Sequence, residues 1–504
     1  MLSLACRNTA KLVRARVGSE NVRLGRLFTK KDTARRMAAM FTLNEEQNAC
    51  TILDPGAGTG ILSAALIERI CKEAPRCKQI FLTCYENDES FLPMLKDNLE
   101  RIRKKCRHDY DVRLFVTVYE ENYLTQSKEH YTVHFFERVE DTFDYIICNP
   151  PKELCEKGSA EAEAIGGIST VKAHSALLFA ETAKRHLVEG GQLVIMMPTT
   201  IASATEQRPF RLSLFGAMPL TAVHLFIGKQ KNERRAVPLK KECILALRKG
   251  EVPESVQIYT STDHGAQTNA LPVMRYDFVV DKDGRGLTLP KSLEDAKIVH
   301  YISDFPETMD SLGLKMHTGL VLDNRCGGML FNDPVKGTIP LLRPASIEKG
   351  FVHFPAAIAK QYIAPISESL FQPNKNMILI KRVPAKRDER FVNAGIFMSS
   401  RLPAYRFVST HNKLNFIDMK EKGAEMSARF LFGLFALLNS TIYDRYISIV
   451  SKSKQINAKE FKDLPLPPRN IIENMGMRLL ELRSTEVRMC DSIVNPTLHI
   501  KEKQ

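Results

Sequence analysis

Residues Ile52-Leu53-Asp54-Pro55-Gly56-Ala57-Gly58-Thr59-Gly60 join an apolar strand to a helical pattern through a turn holding three glycines. No other feature of the sequence narrows the fold as much. A strand that feeds a helix through such a turn belongs to a parallel sheet, whose strands are linked by crossovers rather than hairpins. The glycines remove side chains where a ligand must approach the backbone. A nucleotide phosphate loop is also rich in glycine, so the turn alone does not name its ligand. Three features argue against phosphate: the absence of Gly-Lys-Ser/Thr, the acidic Asp54 at the start of the turn, and a second acid, Glu86, one strand later.

The surroundings agree with that reading. Strand-like apolar runs occur at 51–53, 79–84, 112–118, 144–148, 192–197 and 221–226, and apolar residues recur at helical spacing over 60–71 and 175–187. Alternation of this kind predicts an α/β domain with a mostly parallel sheet over 49–250, preceded by a basic segment at 1–48. A chain of 504 residues is too long for one ordinary core, so a second domain is expected. Turn-forming residues such as Asp281-Lys282-Asp283-Gly284 mark 251–300 as a connecting segment. Residues 301–470 read as a mixed α+β unit, and 471–504 as one amphipathic helix with a frayed end.

Two acids fit a nucleoside-type ligand with a cationic end. Glu86 closes a strand, where a carboxylate can accept from both hydroxyls of a ribose, and Asp54 suits a positive charge seated on the turn. The stretch Asp144-Tyr145-Ile146-Ile147-Cys148-Asn149-Pro150-Pro151 carries the chemistry. A buried strand runs into two prolines, which restrict the backbone of Asn149. The Asn149 side-chain carbonyl and the Pro150 carbonyl then form a rigid pair of acceptors, matched to the two N–H donors of an exocyclic amino group. The eleven cysteines are scattered, with no Cys-x-x-Cys pair and no His/Cys cluster, so reduced thiols are expected and no metal.

Gly25-Arg26-Leu27-Phe28-Thr29 stands ahead of the glycine turn. The order Phe-Thr, glycine turn, ribose-type acid, Asn-Pro-Pro resembles the amino-methyltransferase superfamily, whose members act on adenine, cytosine or protein glutamine nitrogens. Taken alone, Thr29 reads as a cap for the helix that follows it. His224-Leu225-Phe226, 380–386, His411-Asn412-Lys413-Leu414-Asn415-Phe416, 438–446 and Gln455-Ile456-Asn457-Ala458 are similar to the BsuBI/PstI-like adenine-specific DNA methyltransferases of restriction–modification systems. That resemblance runs from about residue 22 to 468. It implies a Rossmann-like methyltransferase domain followed by a target-recognition domain at 301–470. It implies S-adenosylmethionine as cofactor, contacted by Phe28, Thr29, Asp54, Gly56, Gly58, Gly60, Glu86, Asn122 and Asn149. Methyl transfer to the N6 amino group of a flipped adenine would involve Asn149, Pro150, Pro151 and Lys152. The implied partners are double-stranded DNA and a restriction endonuclease encoded nearby, without a stable complex; the implied location is cytoplasmic, away from any membrane.

The charge agrees with a polyanionic partner. Residues 341–470 hold 21 Lys and Arg against 10 Asp and Glu, and residues 1–48 hold 10 against 4, so the remainder of this +14 chain is slightly acidic. A field confined to parts of the surface suits DNA, although a merely solvated basic face has the same composition. Lys381, Arg382, Lys386 and Arg387 are the candidate phosphate contacts, and Gln455 and Asn457 the candidate base-reading amides. The Arg-rich, acid-poor start over 1–16 also suits a mitochondrial presequence, or equally a short basic helix leading into the first domain.

The family pattern breaks at three places. Lys152 stands where an aromatic residue normally stacks on the flipped base, no aromatic occurs in 229–237, and Asn122 replaces an Asp. A lost stacking ring costs about 1–3 kcal/mol per base. Two alternatives therefore stay open: a DNA-binding relative with weakened catalysis, and an RNA or protein amino-methyltransferase.

Overall fold

Each apolar run read as a strand between residues 50 and 250 is a strand. The computed structural model describes residues 1–14, 28–125, 142–164, 173–228, 239–262, 267–356, 358–383, 390–451 and 455–499. They divide into two units, one of residues 1–229 with 237–292, the other of 293–504 with the short stretch 230–236. In the first unit α1 (Leu2–Arg14) and α2 (Lys31–Ala39) precede the sheet. The alternation follows: β1 (Ala49–Pro55), α3 (Ile61–Glu73), β2 (Gln79–Tyr85), α4 (Leu92–Tyr110), β3 (Arg113–Tyr119) and β4 (Phe143–Cys148). After the short pair β5 (Leu154–Cys155) and β6 (Ala173–His174) come α5 (Ser175–Ala183), β7 (Leu187–Pro198), α6 (Arg208–Ala217), β8 (Leu220–Ile227), β9 (Leu239–Arg248) and β10 (Ser255–Ser261).

The ten-stranded sheet has the order β3-β2-β1-β4-β7-β9-β8-β10, with two short strands at the β10 edge. Its long strands are parallel except β9, which runs antiparallel between β7 and β8. Central strands covered on both faces need apolar residues on both faces. Ile52, Leu53, Ile146, Ile147, Leu193, Val194 and Ile195 all have 0% exposure, which meets that demand. Helix α3 is buried along most of its length, from Ile61 to Cys71, and packs against β4.

The boundary expected at residue 250 is corrected to the neighbourhood of Ser292. Residues 251–300 do not merely connect: β10 lies in the sheet, parallel to β8, with Val256 and Ile258 buried. Its strand alternation is flanked by turn-forming residues, which is why composition hides it. Helix α1 also belongs to this unit; Leu2 and Ala5 are buried, and the Thr9 hydroxyl lies 2.7 Å from that of Thr59 in the glycine turn.

The second unit holds a six-stranded sheet, whose members include β11 (Leu314–Thr318), β12 (Met377–Lys381) and β13 (Leu414–Met419), and a five-stranded sheet. Helix α7 (Ala428–Asn439) is buried from Phe430 to Asn439, as its all-round apolar sequence requires. It is followed by α8 (Thr441–Val450). The single helix expected over 471–504 is two, α9 (Arg469–Leu482) and α10 (Val487–Thr497), because Arg483 takes a left-handed conformation that ends the first. Nor is this region a loose tail. A Cβ on Gly476 would lie 1.8 Å from the Arg429 carbonyl oxygen, and one on Gly433 1.8 Å from that of Ile472, so α7 and α9 touch backbone to backbone. Among the described residues no helix is long and apolar enough to cross a membrane.

The close contact of α7 and α9 has a measurable consequence. Gly476→Val forces backbone apart where no rotamer can relieve the clash, so urea unfolding should show a loss of about 3 kcal/mol, the upper end for overpacking.

Candidate functional site

The sheet order turns back between β1 and β4, with β2 and β3 on one side and β7 on the other. In open α/β sheets ligands bind beyond the C-terminal ends of the strands at such a point. Ile52 pairs with Tyr145 and Leu53 with Ile146, so the glycine turn and Asn149-Pro150-Pro151 emerge side by side. The Asp144 carboxylate accepts from the Thr51 N–H (2.8 Å) and hydroxyl (2.9 Å), which pins that register.

Gly56, Gly58 and Gly60 all have positive φ, at 83°, 57° and 79°. The Gly56 and Ala57 N–H groups donate to the Tyr85 carbonyl at 2.8 and 2.9 Å, folding the turn over the end of β2. A Cβ on Gly58 would meet the Phe28 ring at 3.7 Å, and Phe28 in turn packs edge-on against Phe91. A flat ligand thus finds an open backbone and an aromatic wall.

Both predicted acids lie at this turn and both are buried. One Asp54 oxygen accepts from the Ser63 hydroxyl at 2.6 Å and N–H at 3.1 Å, while the other has no partner among the described residues. Burial pushes the Asp54 carboxyl up to about 7; the Ser63 bonds oppose this, and the charge of Glu86 adds to it. Glu86 accepts from the Gly58 N–H at 2.7 Å and the Asp88 N–H at 2.8 Å. Burial raises its pKa as well, against those bonds. Each Glu86 oxygen keeps a second lone pair for a ligand hydroxyl. An orphaned buried carboxylate oxygen, an acid bonded across the turn and a side-chain-free cradle fit S-adenosylmethionine, which joins a cationic amino-acid end to a ribose.

The Asn149 side-chain N–H donates to the Thr29 hydroxyl at 2.8 Å, across 120 residues of sequence. That bond orients the amide and leaves its carbonyl as the acceptor. Thr29 is therefore not the helix cap that it resembles in sequence; Lys30 holds that position, without a side-chain bond. Asn149 and Pro150 line a cavity of about 1010 Å³ together with Lys152, Leu154, His174 and Glu242. The Lys152 ammonium pairs with Glu242 at 2.6 Å. Pro151 is exposed, and its carbonyl accepts from the Ser175 hydroxyl. Asn122 lies at the end of β3's loop, where its carbonyl accepts from Leu124 N–H at 3.0 Å and its amide reaches Glu161 at 3.4 Å. The acceptor that Asn shares with Asp thus makes one local bond and keeps a second lone pair.

In the second unit the structure brings two predicted pairs together. The Ile456 N–H donates to the Arg382 carbonyl at 2.9 Å, so Lys381-Arg382 at the end of β12 lie beside Gln455 and Asn457. Lys386 and Arg387 fall outside the described residues, as does 229–237. His224 and Phe226 are buried in the sheet, His224 bonded to the Ser261 hydroxyl at 2.9 Å, and take no part in the cavity. Glu242 and His174 escaped the sequence reading. Glu242 sits on an antiparallel strand whose pairing with Pro198 only the fold supplies, and the one local sign of His174 is its place just ahead of a helical pattern.

No family model matches the chain. It is 26% identical over 485 residues to the type II methyltransferase M.BsuBI of Bacillus subtilis, covering 91% of this chain and 90% of that protein. Over 491 residues it is 24% identical to the type II methyltransferase M.PstI of Providencia stuartii, covering 95% and 93%. The BsuBI/PstI-like resemblance read in the sequence therefore holds along nearly the whole chain. Among solved structures, the type IIG restriction endonuclease BpuSI aligns with a TM-score of 0.44 and 13% identity over 90% of this chain and 60% of that one, so the chain spans less than two thirds of its length. The type IIL restriction-modification enzyme MmeI in complex with DNA aligns with a TM-score of 0.42 and 13% identity over 100% and 74%.

The buried Asp54 makes stability depend on pH. The folded protein keeps this proton up to about 7, while the unfolded chain releases it in the ordinary carboxylate range. The native state then binds more protons, and the contribution of Asp54 to stability falls as pH rises through that window. Comparison of urea unfolding from pH 4 to pH 8 should show this fall in the natural protein and a flatter profile in Asp54→Asn; parallel profiles would mean that Asp54 titrates normally.

Proposed function

We propose that this chain is an S-adenosylmethionine-dependent DNA methyltransferase that modifies the N6 amino group of adenine at a specific site. The observation that carries the reading is the Asn149 amide, held by Thr29 with its carbonyl free, beside the glycine turn at the β1/β4 switch point. When bound, S-adenosylmethionine supplies a methyl group on a positively charged sulfur. Everything else is the work of the chain. Phe28 and the bare backbone of Gly56 and Gly58 give the cofactor a flat seat, Glu86 accepts from its ribose, and Asp54 offsets its positive charge. Asn149 and Pro150 accept the two amino N–H bonds of the base, turning the nitrogen lone pair toward the methyl group. The Asn149 carbonyl and the Pro150 carbonyl together discriminate an amino from a carbonyl substituent, because a carbonyl would meet two acceptors.

Double-stranded DNA is the substrate in this reading, and the second unit reads the site. Lys381 and Arg382 contact phosphate, joined by Lys386 and Arg387, and Gln455 and Asn457 face base edges. The natural role is protection of cytoplasmic DNA from a restriction endonuclease encoded nearby. One observation favours a second reading, a DNA-binding relative with weakened transfer: Lys152, in the position after Asn-Pro-Pro, is tied to Glu242.

The two readings separate in one assay. With tritiated S-adenosylmethionine and mixed-sequence duplex DNA, label should appear in N6-methyladenine; duplex binding without label supports the weakened relative. Asn149→Ala should keep cofactor affinity by calorimetry while transfer falls roughly 100- to 1000-fold, as when one preorganised polar group is removed from a transition state.

The phosphate surface is tested by salt. The log–log slope of duplex affinity against salt should flatten by about 0.9 for each phosphate contact removed, so Lys381→Ala with Arg382→Ala should change it by roughly 1.8. An unchanged slope would move the DNA surface elsewhere.

A further inference from the structure

A base that leaves the duplex gives up its stacking on both faces and gains from a flat group in the protein that receives it. Of the described residues that line the cavity beside Asn149 and Pro150, two carry aromatic rings, His174 and Phe210. Phe210 is 2% exposed and belongs to the core, whereas His174 is half-buried. The fold ties His174 to the reacting loop. Strand β6 pairs antiparallel with β5, and His174 stands directly opposite Leu154, so their side chains share one face of the ribbon. Leu154 is 62% exposed and lines the same cavity. The next residue, Ser175, donates its N–H to the Glu153 carbonyl at 2.9 Å and its hydroxyl to that of Pro151.

The ring is also held in one state. Nδ1 of His174 accepts from the Ala176 N–H at 3.3 Å, which fixes the tilt of the ring and leaves the proton of the neutral form on Nε2. Its charged neighbours, Lys152 and Glu242, are paired with each other. Burial lowers the pKa of His174, Glu242 raises it and Lys152 lowers it, so the ring is neutral at neutral pH. A neutral ring can lie on a neutral base without stripping water from a charge.

We propose that His174 is the base-contacting ring of this site, lying against the face of the flipped adenine with Leu154 beside it. The inference rests on the function proposed above and adds to it the residue that replaces the stacking group absent at Lys152.

Two substitutions separate stacking from the one structural task His174 performs, which is to cap α5. His174→Asn keeps an acceptor for the Ala176 N–H and removes the ring. His174→Phe keeps a ring and removes the acceptor. Transfer of tritiated methyl to mixed-sequence duplex DNA is measured in each, with cofactor affinity by calorimetry and thermal melting as checks on the fold. The expected result is a loss of about tenfold or more in kcat/KM for the Asn variant, and activity within about threefold of the natural protein for the Phe variant. An Asn variant as active as the natural protein overturns the proposal, whatever the Phe variant does. Equal loss in both also overturns it, since the ring would then not be what matters. Should the Phe variant fail to fold, His174→Tyr takes its place under the same expectation. A natural protein that places no label on DNA overturns the function itself, an outcome distinct from label with an unimpaired Asn variant.

Discussion

Strands β1 and β4 lie side by side at the point where the sheet order turns back, and the juxtaposition of the glycine turn with Asn149 follows from their pairing. The pairing is tied at both levels. Thr51 and Asp144 exchange three hydrogen bonds low in the strands, where the Asp144 N–H also donates to the Thr51 hydroxyl at 2.9 Å. At the top, the Cys148 thiol donates to the Pro55 carbonyl at 3.2 Å. Both strands are buried, so a slip by one residue would turn core side chains to the wrong face. The register is thereby held without any contribution from the ligand. It sets Asn149 next to the glycine turn, and Thr29 then needs only one bond to orient the amide.

The same crowding creates the electrostatic tension of the site. Asp54 and Glu86 both lie beneath the turn; burial raises the pKa of each, the charge of Glu86 adds to the rise at Asp54, and relief comes from the Ser63 hydroxyl and N–H at Asp54 and from backbone N–H groups at Glu86. The charge on Asp54 is therefore only partly formed at neutral pH. A cationic group seated on the turn pulls that carboxyl back toward its ordinary range, so ionisation and binding reinforce each other by linkage. A turn whose acids are already fully satisfied would have no such reserve, and the partnerless oxygen of Asp54 marks where the reserve is held.

The parts of this arrangement that were legible in sequence are those that short stretches of backbone enforce. A glycine turn after an apolar strand, an acid at the next strand end and an Asn locked by two prolines each carry their geometry with them. What sequence could not supply were pairings between distant segments. Thr29 looks like a cap because its neighbours are helical, yet its hydroxyl serves Asn149. Glu242 becomes the partner of Lys152 only because β9 runs antiparallel beside β7. Likewise β10 is too closely flanked by turn residues to be recognised until its parallel pairing with β8 is seen. The break at Arg483 rests on a single left-handed residue that periodicity does not register.

In the second unit, Asn415 and Asp444, from two of the motifs that carried the family resemblance, are scaffold. Asn415 is fully buried, accepting from the Thr318 hydroxyl at 2.9 Å and donating to the Ile456 carbonyl at 2.7 Å. Asp444 accepts from the Val392 N–H at 2.6 Å, and Arg390 donates to the Ser440 carbonyl at 3.2 Å. Asn415 also fixes where the 455–457 segment sits, because Ile456 is bonded through its backbone to both Arg382 and Asn415. None of those bonds involves the exposed Gln455 side chain. The segment is therefore held through the backbone of Ile456, a tie that does not depend on which side chains flank it.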